Sequence, residues 1–384
     1  MIIRTAEARL IKLAKTFRSV AVVGPRQSGK TTLCKKIFPN KPYLSLENPD
    51  THEYIHTDPR GFLAQYKNGA ILDEIQRAPK LFSYLQEVLD ETKKKGLFIL
   101  TGSNNFLLQE NITQTLSGRI AYLQLLPLSC QELKDSKKLR PDYPIHIFQG
   151  GYPEVIAKRL NASDWYTGYA STYIERDVRQ LKNIGNLSQF TKLLRLCAGR
   201  TGQLLNLTSL SNDCGIDQKT VAAWLSVLQS SYIIYLLKPY HGNFNKRIMK
   251  SPKLYFYDTG VACSLLGITN AKQIETHALK GALFENLIIS ELLKKRFNGG
   301  TTDNLFYWRD KTGNEVDVLL DEAGKLTAIE LKAGKTISSD FFKGLEYFSS
   351  LQKKPIKQIL VYGGQQEQKR SSGTQVMPWN KILD

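Results

Sequence analysis

Five cysteines occur, Cys34, Cys130, Cys197, Cys214 and Cys263, and no two of them stand as C-x-x-C. That spacing excludes a zinc ribbon and speaks against a disulfide framework. The expectation is reduced thiols in a cytoplasmic protein. Long apolar runs are missing too, so neither a membrane-spanning helix nor a membrane partner is expected. The N-terminal stretch MIIRTAEARLIKL mixes charges among its apolar residues. It reads as an amphipathic helix and not as a signal peptide. No low-complexity tail or internal repeat is evident. Acidic residues are scarce: 35 Asp and Glu face 53 Lys and Arg, a net charge of +18. Such a surplus suits a polyanion, nucleic acid above all, although solubility alone also uses basic charge. With 384 residues, two or three domains are expected.

What is present is organised around residues 16–31, TFRSVAVVGPRQSGKT. Val20–Val23 is a short apolar run. Gly24, Gly29, Lys30 and Thr31 then match the P-loop pattern G-x-x-x-x-G-K-[ST]. Pro25, Arg26, Gln27 and Ser28 fill the loop, and Thr32 follows it. The glycines let backbone N–H groups close around phosphate oxygens. A helix starting near Gly29 turns its positive end to those phosphates. Lys30 is expected to reach the β- and γ-phosphates of ATP, and the Thr31 hydroxyl to hold Mg²⁺.

Further strands and helices alternate after this loop. Tyr43–Leu46 is a second expected strand. Asp58 precedes Pro59 as the cap of a short helix. Ala70–Leu72 reads as a buried strand that ends in Asp73 and Glu74, a Walker B pattern. One carboxylate must hold the Mg²⁺ shell and another must polarise the attacking water. Asp73 is assigned to the metal and Glu74 to the water, while an acidic pair after a strand also serves as a helix start. Leu81–Lys94 has helical apolar spacing. Leu97–Leu100 is a strand followed by Thr101, Gly102, Ser103 and Asn104. A polar residue there senses the γ-phosphate or orients the water; Ser103 and Asn104 are the candidates, or the four form an ordinary turn. Strands alternating with helices mean a parallel sheet with its ligand at the carboxyl ends.

The segments GPRQSGKTT, ILDEIQ, TGSNNF, LSGRI and LPLSCQEL resemble a prokaryotic AAA-type P-loop ATPase family, whose members carry a C-terminal domain of unknown function. FQGGYPEV, YIERDVRQL, YFYDTG, GALFENLI and YWRDKTGNEVDVLL are similar to that second domain. The resemblance implies ATP binding and hydrolysis but no biological role. Arg119 in LSGRI is similar to a basic position used as an arginine finger or sensor, within its own subunit or on a neighbouring copy. A surface arginine at a helix end is the alternative.

From about Ile145 the character changes. No chemical role suggests itself for Glu175, Arg176 or Asp177, where a salt-bridged helix face is the default. Thr208 is expected to cap one short helix, Gly215 to break it, and Asp217 to cap a second with Val221, Trp224, Leu225 and Leu228 on its apolar face. This is a helix-turn-helix pattern. Tyr232–Leu237 and Lys253–Tyr257 look like the strands of a wing, joined by a basic loop with Lys246, Arg247 and Lys250. Gln218, Lys219 and Thr220 would read DNA and the wing would touch phosphates, unless the module only packs against protein.

In the C-terminal part, Ala282–Lys295 is amphipathic and carries Glu285 and Glu291. EVDVLL and LTAIELKAG read as neighbouring strands. On a period of two, Glu330 and Lys332 share a face, and Asp317 alternates with Val316 and Val318. An acid on one strand and acid-x-lysine on the next resembles the restriction-endonuclease-like superfamily. That resemblance implies Mg²⁺ held by Asp317, Glu330 and Glu285, with Lys332 positioning the attacking water. A polar sheet face with a lysine–glutamate pair is the other reading.

The expected fold class is α/β: a P-loop NTPase parallel sheet over 1–145, a helical and winged-helix segment over 146–265, and a small α/β nuclease-like domain over 266–384. The expected function is a Mg²⁺-dependent ATPase acting on or near DNA. Its alternatives are a nucleotide switch working through protein partners or a second copy, and an ATP-gated nuclease.

Overall fold

Ser19–Val23 is buried along its whole length, and that is why it becomes a central strand. A parallel sheet covered on both faces needs apolar side chains on both, so its strands read as continuous runs. In the computed structural model, which describes residues 2–103, 116, 118–174, 186–240 and 251–382, this strand is β1 (Ser19–Val23). With β2 (Tyr43–Ser45), β3 (Ile71–Asp73), β4 (Phe98–Gly102) and β5 (Ile120–Gln124) it forms a sheet of order β2-β3-β4-β1-β5. Every pairing in it is parallel. Val20, Val22, Ile71, Ile99 and Leu123 form its core with Leu10 and Leu13 of the Glu7–Thr16 helix and Leu33 of the Lys30–Ile37 helix. Each such buried side chain stabilises the fold by about 1.5–3 kcal/mol relative to exposure. Asp58 caps its helix as expected, accepting from the Gly61 N–H at 2.8 Å. This α/β unit comprises Met1–Leu128, Ser230–Tyr232 and Lys294–Thr302.

The second unit comprises Ser129–Gln229, Ile233–Leu293 and Asp303–Asp384. Its sheet contains β6 (Ile234–Pro239), β7 (Lys253–Phe256), β8 (Leu305–Arg309), β9 (Glu315–Glu322), β10 (Lys325–Lys332), β11 (Lys357–Tyr362), β12 (Gln368–Lys369) and β13 (Gln375–Pro378). Their order is β12-β13-β11-β10-β9-β8-β6-β7. The two expected wing strands are thus β6 and β7, and they extend the C-terminal sheet instead of standing alone. The loop between them, with Lys246, Arg247 and Lys250, lies outside the described residues, as do Glu175, Arg176 and Asp177.

The helix-turn-helix pair is present as Leu207–Cys214 and Gln218–Ser230, with Gly215 left-handed at φ 69° between them. Asn206, not Thr208, caps the first helix, accepting from Ser209 N–H at 3.0 Å. Asp217 caps the second through Thr220 N–H at 3.0 Å.

Two details of the second unit depart from simple periodicity. The Lys280–Gly299 helix is not one-sidedly apolar: Asn286, Ser290, Glu291 and Lys294 are buried beside its aliphatic residues. These polar groups are matched by backbone. Asn286 takes the Phe256 N–H at 2.8 Å and donates to the Phe256 carbonyl at 2.7 Å, as a neighbouring strand would. Glu291 accepts from Cys130 N–H at 2.6 Å. The other departure is in β9. Phe306 pairs with Leu319 and Trp308 with Val316, so β9 spends one residue more than β8 over that interval. This β-bulge breaks the expected alternation at Asp317: Val316 and Leu319, three apart, pack in one cluster with Phe306 and Trp308.

Candidate functional site

The first candidate site lies at the carboxyl ends of β1, β3 and β4. Gly24 leaves β1 at φ 154°, and a Cβ there would lie 2.1 Å from the Leu125 carbonyl oxygen, so only glycine fits. Gly29, at φ 93°, begins the Lys30–Ile37 helix. Lys30 is buried and folds back across its loop, donating to the carbonyls of Gly24 at 3.0 Å and Pro25 at 2.8 Å. Burial pulls its ammonium below the usual lysine range, opposed by Glu74 and Asp73.

Thr31 Oγ1 donates to both carboxylate oxygens of Asp73, at 3.0 and 3.1 Å. Tyr43 also donates to Asp73, at 2.7 Å, and Thr101 makes a close hydrogen bond to it. Glu74 stands next in a left-handed conformation, φ 56°, which a non-glycine residue adopts only when its surroundings hold it. They do: its carboxylate accepts from Ser103 Oγ at 2.9 Å and Ser103 N–H at 3.3 Å, with Gln76 close by. Burial pushes the Glu74 carboxyl up, but the Lys30 charge, Gln76, Arg26 and Ser103 outweigh it, and the net shift is downward. Glu74 is therefore an ionised acceptor set beside a Thr31–Asp73 pair.

Thr31, Asp73, Glu74 and the loop Gly24–Thr32 are thus brought together. Asn104 lies outside the described residues. Arg119 is not brought here. It sits just before β5, its carbonyl accepting from Ser19 N–H at 3.3 Å, and its guanidinium pairs with Asp90 at 2.9 Å. That is the amino end of the sheet, roughly 16 Å of strand from the P-loop end. Tyr43, Thr101 and Gln76 are contacts that the sequence reading missed. The parallel register was the signal for one of them: Leu72 pairs with Leu100, so Asp73 and Thr101 are neighbours.

The second candidate site lies in the other unit. The Leu331 N–H, beyond the last β9–β10 pair of Val318 and Ile329, donates to Asp317 Oδ2 at 2.8 Å. Lys332 Nζ is 2.5 Å from Glu330 Oε1 and 3.9 Å from Asp317 Oδ2. Glu330 Oε2 is buried with no hydrogen-bond partner. Lys253, the first residue of the second expected wing strand, is buried. It pairs with Glu285 at 3.0 Å and closely with Glu315, and Tyr255 donates to Glu285.

Four carboxylates, Glu285, Glu315, Asp317 and Glu330, therefore face two buried or half-buried lysines, with Arg309 at 3.4 Å from Glu315 on the outside. The surplus negative charge has a visible effect. Burial, then the Asp317 charge, pushes the Glu285 carboxyl up to about 7 against the pull of Lys253. The same two causes push Glu330 up to about 8 against Lys332. Among the described residues no group of three or more His, Cys, Asp or Glu is arranged to hold one metal ion. Around the expected ligands Glu285, Asp317 and Glu330, Lys253 ties Glu285 to Glu315, and Lys332 ties Glu330 to Asp317. The acid–lysine pattern did signal the second cluster, while nothing in the strand pattern of β7 marked Lys253.

Comparison with known proteins finds three matched stretches. Residues 16–134 match the family model described as AAA domain, and residues 280–382 match a domain of unknown function, DUF4143. Residues 140–272 match another such domain, DUF8612. An uncharacterized protein of Mycobacterium tuberculosis is 29% identical over 339 residues, covering 87% of this chain and 75% of its own. An uncharacterized protein of Methanocaldococcus jannaschii is 24% identical over 269 residues, covering 65% and 57%. Among solved structures, the Walker-type ATPase PABY2304 of Pyrococcus abyssi aligns with a TM-score of 0.44 at 15% identity, over 68% of this chain and 94% of its own. The ORC2 protein of Aeropyrum pernix in its ADP form aligns at 0.35 and 16%, over 71% and 92%. The stretch matched by the AAA model contains the parallel sheet β2-β3-β4-β1-β5, and the P-loop sequence follows β1. Among the described residues no helix is long and apolar enough to cross a membrane.

Proposed function

We propose that this protein is a cytoplasmic, Mg²⁺-dependent ATPase that acts on or near DNA. The observation that carries the ATPase reading is the Thr31–Asp73 hydrogen bond at the mouth of the P-loop with Glu74 held beside it. The loop Gly24–Thr32 fits phosphates: its glycines are set where a Cβ would collide, and Lys30 is within the loop's reach. Thr31 and Asp73 would hold Mg²⁺, whose oxygen-ligand preference they meet. When bound, that ion neutralises charge on the phosphates. Lys30 exchanges its two carbonyl partners for phosphate oxygens. Glu74 orients water and accepts its proton, Ser103 fixing the carboxylate. Arg119, at the far end of the strands, would serve phosphoryl transfer only on a neighbouring copy. Support for DNA comes from the charge of +18 and from exposed Lys219 at the start of the second helix of the pair. Gln218 and Thr220 are engaged with Thr208 and Asp217. The test is ATP turnover with and without Mg²⁺ and duplex DNA. Lys30→Ala should weaken ATP binding, and Glu74→Gln should retain binding but slow turnover. Unchanged turnover in both variants sinks the assignment, and turnover indifferent to DNA favours a switch working through protein partners.

A second reading, a metal-dependent nuclease site, is favoured by the unpartnered Glu330 Oε2 in a carboxylate-rich pocket. Asp317 and Glu330 suit Mg²⁺, which is commonly held by one or two carboxylates with substrate phosphates. Lys332 would hold the attacking water. Mn²⁺- or Mg²⁺-dependent cleavage of duplex, branched or single-stranded DNA, lost in Asp317→Ala and Lys332→Ala, is the expected result. Cleavage that survives both substitutions belongs to something else.

A further inference from the structure

Three mutually parallel strands of the second unit stop at one level. Lys332 at the end of β10 pairs with Tyr362 at the end of β11, and Tyr362 pairs with Pro378 at the end of β13. Parallel strands that end together leave a crevice beyond their carboxyl ends, the usual position of a ligand in such sheets. A cavity of about 900 Å³ lies there, lined by residues that follow the three strands, among them Lys335, Gln366, Arg370, Asn380 and Lys381. It shares no lining residue with the Asp317–Glu330–Lys332 cluster.

The rim is fixed in advance. The Tyr362 hydroxyl accepts from Gln366 N–H at 2.8 Å and donates to the Gln366 carbonyl at 3.0 Å, which pins the loop after β11. Gly363 N–H reaches both Lys332 and Gly334 carbonyls, at 3.0 and 3.1 Å. A Cβ on Gly364 would lie 2.2 Å from the Tyr362 ring, so this close turn needs glycine. A preformed cavity spares the cost of ordering a loop on binding.

Its charge is basic: Lys335, Arg370 and Lys381 face one acid, Asp142. Glu275 lies 3.5 Å from Lys335 and Glu367 3.4 Å from Lys381, but these side chains are largely solvent-exposed. Exposed pairs of this kind are weak and give way to a better anion. The Arg370 guanidinium lies 5.3 Å over the Phe342 ring. Such stacking uses the guanidinium face and keeps its N–H edge for a planar or tetrahedral anion. The volume exceeds a bare phosphate and suits a ligand of nucleotide size. Gln366 and Asn380 add amides able to pair with a base or sugar.

We propose that this cavity binds a nucleoside phosphate, free or at the end of a nucleic-acid strand. The proposal is independent of ATP turnover and of cleavage at the carboxylate cluster. Calorimetric titration of the full chain uses three probes: thymidine 5′-monophosphate, a 5′-phosphorylated thymidine oligonucleotide, and the same oligonucleotide without its phosphate. Thymidine monophosphate lacks the β- and γ-phosphates that a P-loop lysine grips, which separates it from the ATP site. The expected result is binding of at least one phosphorylated probe, weakened about tenfold or more by Lys335→Glu with Lys381→Glu, since removing a charge-assisted hydrogen bond to phosphate costs roughly that factor. Both lysines are exposed, so the double variant should fold and keep its ATP turnover; Arg370→Gln is the independent check. Binding of the free nucleotide alone identifies a small ligand, and binding of the phosphorylated strand alone identifies a strand end. Lys332→Ala should retain binding. The proposal is overturned if no phosphorylated probe binds. It is overturned equally if charge reversal leaves binding unchanged, or if Lys332→Ala abolishes binding that the pocket variants keep.

Discussion

Replacing Glu330 with glutamine tests whether the second site holds more negative charge than its lysines balance. In the folded protein the Glu330 carboxyl is pushed up to about 8, from an ordinary value of 4.5, first by burial and then by Asp317. The unfolded chain therefore loses this proton at lower pH than the folded chain does. Stability must fall as pH rises from about 4.5 to about 8 and level off above, because the native state binds more protons in that window. At about 1.4 kcal/mol per pH unit, the cost at neutral pH is on the order of 3 kcal/mol. Glutamine keeps the shape and stays neutral, so Glu330→Gln should cost little at pH 5 and become the more stable protein towards pH 8. The assay is urea unfolding of both proteins from pH 5 to 8, followed by tryptophan fluorescence. Glu285 titrates in part of the same range, so the informative quantity is the difference between the two curves. Added Mg²⁺ at pH 8 should stabilise the wild type more than the variant if the cation takes the place of the proton. Two parallel curves would refute the charge-surplus account.

Gly24→Ala should lower the melting temperature and abolish ATP binding, since the new methyl would sit 2.1 Å from the Leu125 oxygen; overpacking against backbone costs about 1–3 kcal/mol or more. Glu74→Gln should reduce the turnover number by about 100-fold at nearly unchanged ATP affinity, read by stopped-flow binding beside steady-state turnover. Replacing Lys246, Arg247 and Lys250 with alanine should weaken duplex DNA binding across sequences and flatten the slope of log affinity against log salt by about one for each phosphate no longer neutralised. A triple variant with wild-type affinity and slope removes that loop from the interface.

The first unit was legible because its signals are local. A valine run, two glycines forced into unusual backbone and an acid at a strand end each depend on residues near in sequence. Asp73 and Glu74 were readable for that reason, and their neighbours Tyr43 and Thr101 were not, since only strand pairing brings those side chains to Asp73. In the second unit the acid–lysine pattern was visible along β10. Its electrostatic setting was not: Lys253 looks like one more basic residue until the fold buries it against Glu285 and Glu315. The setting of the two wing strands was hidden for a related reason. Two short apolar strands carry no mark of the sheet they join, and β6 finds its partner in β8 through Lys238 and Pro239. The Lys280–Gly299 helix shows the same limit, because its buried Asn286 is matched by a strand edge remote in sequence.

The extra residue in β9 acts as a change of phase. It lets Asp317 leave the alternation, and it returns Val316 to the side of Leu319, Phe306 and Trp308. Presenting the acid and filling the hydrophobic layer are thus one backbone event. Side-chain replacement at Asp317 removes the acid and leaves the layer intact. Deleting Asp317 would restore regular pairing and leave Val316 two residues from Leu319, on the side it already occupies. The bulge is needed only while Asp317 is kept, because the layer alone is served by a strand one residue shorter.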